Sequence, residues 1–199
     1  MTHASPIAAI LIATRNDGAW LAPSVRSALA QRGVDHEVIV IDDASTDGSV
    51  EAIRSSIDDD RLRVIHGAGQ GKAAALNRAR EQTRARYIAI QDGDDLSHPD
   101  RLAKQVACLE QDVTLGACFC GHGLLLEDAG LEALCAPLGR ARDADEVAVE
   151  IEAMRMPAHD PTALYRVSSI AGMAFDVDLA VGQGFDSGVG VPDERRKAA

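Results

Sequence analysis

The sequence predicts an α/β protein built on a parallel sheet. Short apolar runs alternate with longer stretches of helical periodicity, and three of those runs end abruptly in polar turn residues. A short apolar run bounded by turn residues reads as a buried strand. Strands that alternate with helices imply βαβ units and hence parallel pairing.

Taken in order, a strand is expected at 7–13, followed by a helix at 20–31. Trp20, Leu21, Val25, Ala28 and Leu29 supply the apolar stripe of that helix. A second strand at 38–41 leads through Ser45, Thr46, Asp47 and Gly48, which are turn and N-cap types, into a helix at 48–57. A strand at 62–65 precedes a helix at 71–84, and a strand at 87–90 precedes a helix at 99–110 that Pro99 opens. A further strand is expected at 117–121. An amphipathic helix is expected at 143–154, with Val147, Val149, Ile151 and Met154 among its apolar residues. No repeat, low-complexity tract or linker interrupts the chain, so one domain over residues 1–199 is expected; only the tail at 192–199 reads as frayed.

Composition narrows the function classes. Hydrophobic residues make up 46% of the 199, which excludes a disordered chain, and the net charge of −11 argues against nucleic acid or an anionic membrane as a general partner. No apolar run approaches the roughly 18 residues of a membrane span. The start, MTHASPIAAILIATRND, has no basic region of the signal-peptide kind. The cytoplasm is therefore the expected compartment, either free or peripheral at the inner membrane face. The four cysteines, Cys108, Cys118, Cys120 and Cys135, have no C-x-x-C spacing and read as buried or half-buried thiols in a reducing compartment. Cys118 and Cys120 alternate in the strand expected at 117–121, which would put them on one side of it.

The strand ends carry the chemistry. The run at 87–90 leads into three carboxylates, Asp92, Asp94 and Asp95. Carboxylates crowded at a strand's C-terminal end repel one another, so a cation belongs there. Hard divalent ions suit such a cluster and usually arrive with substrate phosphates. In open α/β sheets, ligands bind at the carboxyl ends of the strands. The alternative is a solvated acidic turn. The run at 38–41 ends in Asp42 and Asp43, which either cap the following turn or accept hydrogen bonds from a ligand's ring N–H. Lys72, between Gly71 and a helix, is either a phosphate contact or a solvated lysine. The spacing Gly-x4-Gly-Lys-Ser/Thr is absent, so this is no P-loop.

Four segments in register resemble the inverting family 2 glycosyltransferases, which have the GT-A nucleotide-sugar fold. ILIATRN is similar to that family's first-strand motif and IVIDDASTDGS to its second-strand motif. GQGKAAALNRAR is similar to its Gly-rich segment and helix, and YIAIQDGDDLSHPDRLAKQ to its metal-binding motif. The resemblance is strong over residues 6–111 and thins over 112–191, the shortened acceptor side. It implies a Rossmann-like αβα sandwich with a mostly parallel central sheet. It also implies transfer of a sugar from a nucleotide-diphosphate donor, with UDP the expected nucleotide, to an acceptor hydroxyl on a saccharide, lipid or protein. Mn2+ or Mg2+ would be the cofactor.

Residue by residue, the resemblance puts Thr14 and Arg15 on the nucleotide, Asp43 on the base and Lys72 on the diphosphate. Asn77 would brace the helix against the site. Asp94 would be the direct metal ligand, Asp92 would reach the ribose or the metal's water shell, and Asp95 would brace the loop. MPAHDPTALYR is similar to the family's His-Pro-Thr element, with Asp160 inserted, and places His159 near the diphosphate or metal. The family's acidic pair, which includes its general base, falls here on Gln183 and Gly184. Neither can take a proton. Asp186 is the nearest candidate base and Asp176 lies earlier. An active transferase with a displaced base and a degenerate domain that binds nucleotide sugar, or a partner, without efficient transfer are therefore both expected readings. A nucleotidyltransferase is disfavoured by the missing Gly-rich, Arg- and Lys-containing N-terminal loop.

Overall fold

The computed structural model describes residues 5–126, 130–135, 141–143, 145–147, 149, 160–178 and 185–186. Six strands form one sheet in the order β3-β2-β1-β4-β8-β5. These are β1 (Ala8–Thr14), β2 (His36–Asp42), β3 (Leu62–His66), β4 (Tyr87–Asp92), β5 (Ala117–Phe119) and β8 (Ala163–Arg166). β1 pairs in parallel with β2 and β4, and β2 in parallel with β3. β8 runs antiparallel to both β4 and β5. The sheet is thus mostly parallel, as expected. The chain steps from β1 outward to β2 and β3 and then returns to the other side of β1 as β4. That reversal leaves a crevice at the carboxyl ends of β1 and β4.

Helices cover both faces. On one face α1 (Leu21–Leu29), α2 (Ser49–Ser56) and α4 (Arg101–Gln111) meet Ala8, Ile10 and Ile12 of β1, with Val38, Val40, Tyr87 and Ala89. On the other, α3 (Lys72–Glu81) meets Ala9 and Leu11, with Ile39, Ile41, Ile88 and Ile90. Alternate residues of one strand supply two cores because successive side chains point to opposite faces. Buried on both faces, these strands read as unbroken apolar runs.

Several details depart from the sequence-based expectation. The first helix begins at Leu21, after a 3-10 turn over Gly18–Trp20, and ends at Leu29. Leu21, Val25, Ala28 and Leu29 form its buried stripe, but Trp20 is 44% exposed and is not part of it. The expected strand at 117–121 is only Ala117–Phe119, and a hairpin of β6 (His122–Leu126) and β7 (Gly130–Cys135) follows. A two-stranded piece joins β9 (Ala174–Phe175) to β10 (Phe185–Asp186). Of the helix expected at 143–154, residues 145–147 and 149 are helical, and 144, 148 and 150–154 lie outside the described residues. Cys108, Cys118 and Cys120 are free, half-buried thiols. Among the described residues no helix is long and apolar enough to cross a membrane.

Candidate functional site

The carboxyl ends of β1, β2 and β4 deliver the expected polar groups to one edge. The loops after β1 and β2 are stitched together. Asn16 Oδ1 accepts from Thr46 N at 2.7 Å, and Asp47 Oδ2 accepts from Gly18 N at 2.8 Å. Asn16 (φ 63) and Ala44 (φ 65) hold left-handed conformations in this seam. Thr14 is buried at the strand end, and Arg15 beside it is exposed.

The two carboxylates after β2 act differently. Asp42 Oδ1 accepts from Ser45 N at 2.8 Å, so Asp42 caps the following turn. Asp43 does not: it reaches across to the loop ahead of α3. Its oxygens accept from Gln70 N at 3.1 Å and Gly71 N at 2.7 Å. Asp43 is only 3% exposed, so both bonds are shielded from water. Gly71 holds φ 94 and ψ 170, a backbone state that L side chains avoid. Asp43 and Gly71 together fix the loop that presents Lys72.

Lys72 Nζ is ion-paired with Asp92 Oδ1. The predicted diphosphate contact and the predicted metal-site carboxylate thus touch each other. Asp92 is half-buried and Asp94 exposed at the tip of the turn. Among the described residues no three His, Cys, Asp or Glu side chains converge closely enough to hold a metal by themselves. The donors nevertheless fit Mg2+ or Mn2+, which use one or two carboxylates and complete their shell with waters and substrate phosphates. His159, Gln183 and Gly184 lie outside the described residues. Asp186 is located by its backbone alone, in β10 opposite Ala174. Among the described residues Asp176 bonds locally, accepting from Asp178 N. Asn77 braces α3, trading hydrogen bonds of 2.9 and 2.8 Å with the backbone of Phe175.

Three features were missed in the sequence. The first is Asp17. A Cβ on Gly93 would stand 1.9 Å from Asp17 Oδ2, so the carboxylate sits in the space that glycine leaves. Burial raises the Asp17 pKa; the Thr14 hydroxyl lowers it in part, and Asp94, Asp92 and Asp47 push it up again. Neither Thr14 Oγ1 nor Asp17 Oδ2 has a partner at full hydrogen-bond geometry. The second is Asp160. Because β8 is antiparallel, its N-terminal end meets the carboxyl end of β4, and the 3-10 turn Asp160–Thr162 arrives at the site. Asp160 accepts from the Tyr165 hydroxyl. Burial raises its pKa, Tyr165 and Lys72 lower it, and Asp92 raises it.

The third is a buried polar bracket under the acidic turn. Gln91 Nε2 donates to Ser24 O at 3.0 Å, to Ser24 Oγ at 2.8 Å and to Asp95 O at 3.2 Å. Its Oε1 accepts from Ser97 Oγ at 2.6 Å, and Ser24 Oγ donates to Asp92 O at 3.0 Å. Arg101 donates to Ile90 O at 3.0 Å and Ala163 O at 3.1 Å, tying β4 and β8 beneath the same turn. A glutamine at the end of an apolar run was the available signal.

The comparisons with known proteins agree with this geometry. EpsE of Bacillus subtilis, named as a glycosyltransferase, is 38% identical over 112 residues, covering 55% of this chain and 40% of its own. The succinoglycan biosynthesis protein ExoO of Rhizobium meliloti is 36% identical over 102 residues, covering 51% and 29%. The mannosyltransferase PcManGT of Pyrobaculum calidifontis, solved with GDP-Man and Mn2+, superposes with a TM-score of 0.63 at 25% identity, over 88% of this chain and 49% of that one. TarS of S. aureus, solved with UDP, gives 0.62 at 18% identity, over 88% and 52%. The chain thus spans about half or less of the length of these relatives. The fold is GT-A. The model of glycosyl transferase family 2 matches residues 9–123, more than half of the sequence, and the chain belongs to that family.

Proposed function

We propose that this chain moves a glycosyl group from a nucleoside-diphosphate sugar, with UDP the nucleotide, to an acceptor hydroxyl. The observation that carries this reading is the Lys72–Asp92 pair beside Asp94 at the crevice between β1 and β4. An ammonium, two metal-competent carboxylates and a fixed Gly71 loop meet where a diphosphate would lie. Lys72 can turn its ammonium from Asp92 to the diphosphate. Asp94, with Asp92, would hold Mn2+ or Mg2+, and His159 is a further candidate ligand. The ion supplies Lewis-acid stabilisation of the departing nucleoside diphosphate. Asp43 accepts from the base N–H while it holds the Gly71 loop, and Thr14 and Arg15 line the nucleotide. Asp186 is the proposed general base, with residues 1–199 acting as one domain in the cytoplasm.

Calorimetry with UDP and GDP, each with Mn2+ and with EDTA, tests this. UDP should bind more tightly with Mn2+, and Asp94→Asn should remove most of that gain. Asp43→Asn should mainly narrow the difference between UDP and GDP. Binding that is indifferent to metal in the intact chain would defeat the metal assignment. If both variants bind normally and lose only melting temperature, the carboxylates are structural.

Gln183-Gly184 favours a second reading, in which donor binds but turnover is slow. General-base catalysis is typically worth about 10²–10⁴-fold, so a missing base would show in rate and not in affinity. UDP release from UDP-sugars, with and without acceptors, separates the two. Ordinary transfer rates in Asp186→Ala would place the base elsewhere.

A further inference from the structure

Trp20 is the chain's single tryptophan and is 44% exposed, although it directly precedes a helix whose next residue is fully buried. Its backbone is helical (φ −78, ψ −29), so Trp20 continues α1 by one residue, and its N–H donates to Asp17 O across a turn in which Gly18 holds a left-handed φ of 57. Positions 20, 24 and 27 fall on one face of that helix, at spacings of four and three, with Asp17 ahead of it and Gln31 past its end. Ser24 and Ser27, and the flanking Asp17 and Gln31, touch the end of β4 or the segment that follows it. Asp17 Oδ2 lies against Gly93. Ser24 Oγ donates to Asp92 O at 3.0 Å, and Ser27 Oγ accepts from Ser97 N at 3.0 Å. Gln31 donates to His98 O at 2.9 Å and accepts from Leu102 N at 2.9 Å. Trp20 lies between Asp17, which packs against Gly93, and Ser24, which bonds Asp92 O, and so stands beside the turn at 92–94.

We propose that Trp20 is the platform for a pyranose ring bound at this site. An indole offers a broad apolar face and one N–H donor. The turn beside it carries hydrogen-bond acceptors, Asp92 and Asp94 with Asp17 against them. A ligand that suits both must have an apolar face and a rim of hydroxyl donors, and that is a sugar ring. A purely apolar partner would leave the carboxylates desolvated without bonds. In the proposed arrangement Asp43 takes the base on the β2 side, which leaves Trp20, on the β4 side, at the sugar end. That assignment rests on the proposed donor site; the ring is either the donor's sugar or the acceptor's.

Because Trp20 is the single indole, its emission reports the site without a label. The probes are UDP, UDP-glucose and UDP-N-acetylglucosamine, each with Mg2+, together with maltotriose and chitotriose. UDP–Mg2+ should leave the emission unchanged, whereas at least one sugar-bearing probe should shift or quench it. Response to the UDP-sugars alone assigns the donor's ring, and response to the free oligosaccharides assigns the acceptor's. Trp20→Ala should weaken binding of the responding probe about tenfold, the upper range for one aromatic contact, without changing UDP affinity. Trp20→Phe should recover most of that loss. Oligosaccharide responses that persist when UDP fails to bind would sink the donor reading while upholding the platform. Silence from every sugar-bearing probe, or an equal loss of UDP and sugar binding in Trp20→Ala, overturns it.

Discussion

Gly93→Ala is the sharpest probe of how the acidic turn is built. Gly93 has no positive φ, so the requirement for glycine is one of space and not of backbone freedom. The added Cβ would lie 1.9 Å from Asp17 Oδ2 and 2.8 Å from Asp17 Cγ, so the carboxylate must retreat by more than an ångström to reach the 3.0 Å that real contacts require. Overpacking costs about 1–3 kcal/mol. The low end applies here, because Asp17 Oδ2 gives up only the approach of the Thr14 hydroxyl, which falls short of full hydrogen-bond geometry, and regains water when it rotates outward. A penalty of about 1 kcal/mol lowers the melting temperature by roughly 2–4 °C in a chain of this size. The site should suffer more than the fold, since the displaced carboxylate no longer backs Asp92 and Asp94, and the proposed metal-dependent gain in UDP affinity should shrink. Asp17→Ala removes the obstacle, so Gly93→Ala should cost little in that background. A double-mutant cycle read by thermal melting decides it. An equal cost in both backgrounds, or no cost in either, would refute the steric argument.

Gln91→Leu should be far more damaging to stability. It strips a partner from the buried Ser24 hydroxyl and another from the half-buried Ser97 hydroxyl, a loss of about 2–4 kcal/mol and roughly 5–15 °C in melting temperature. A melting curve within a degree of wild type would show that water replaces the amide. Cys118 should govern part of the alkaline limb of stability. Burial first, and then the Cys108 thiol, push its pKa from 9.0 up to about 12. The neutral thiol's contribution is whole below about 9 and fades as pH rises toward 12. Cys118→Ala should therefore flatten the loss of stability above pH 9 in urea titrations, and an unchanged alkaline slope would contradict the burial argument.

The central sheet was legible because strands buried on both faces leave no ambiguity of period: the runs at 7–13, 38–41 and 87–90 each became a strand. The same logic misjudged Trp20, since adjacent residues on a helix differ by about 100°, and the stripe of Leu21, Val25 and Ala28 excludes its neighbour. Asp43 was expected to face a ligand, whereas its bonds in the structure, to the backbone ahead of Lys72, depend on an approach between residues 27 and 28 positions apart that no local pattern encodes. Asp17 escaped notice because its meaning lies in Gly93, 76 positions later.

Asp160 shows why direction of pairing matters to chemistry. Parallel strands bring their C-terminal residues to the binding edge, so a search confined to strand ends passes over the residue that precedes a strand. β8 is antiparallel, and it carries Asp160 to Lys72 and Asp92. The edge then holds Asp92, Asp95 and Asp160 near the Lys72 ammonium, with Asp17, Asp47 and Asp94 adding negative charge beside them. A nucleoside diphosphate brings more negative charge, so its binding alone opposes this field and a divalent ion reverses the sign. Asp160→Asn keeps an oxygen acceptor for the Tyr165 hydroxyl while removing one charge. It should strengthen UDP binding in EDTA by roughly threefold to tenfold, on the order of 1 kcal/mol for a neighbouring charge near a protein surface. Binding with Mn2+ should change less, so the ratio of the two affinities should narrow. The control is Tyr165→Phe, which leaves the charge in place and should leave the ratio alone. A ratio unchanged in Asp160→Asn would mean that the carboxylate stands outside the field the donor meets, and that the antiparallel strand brings it there for packing only.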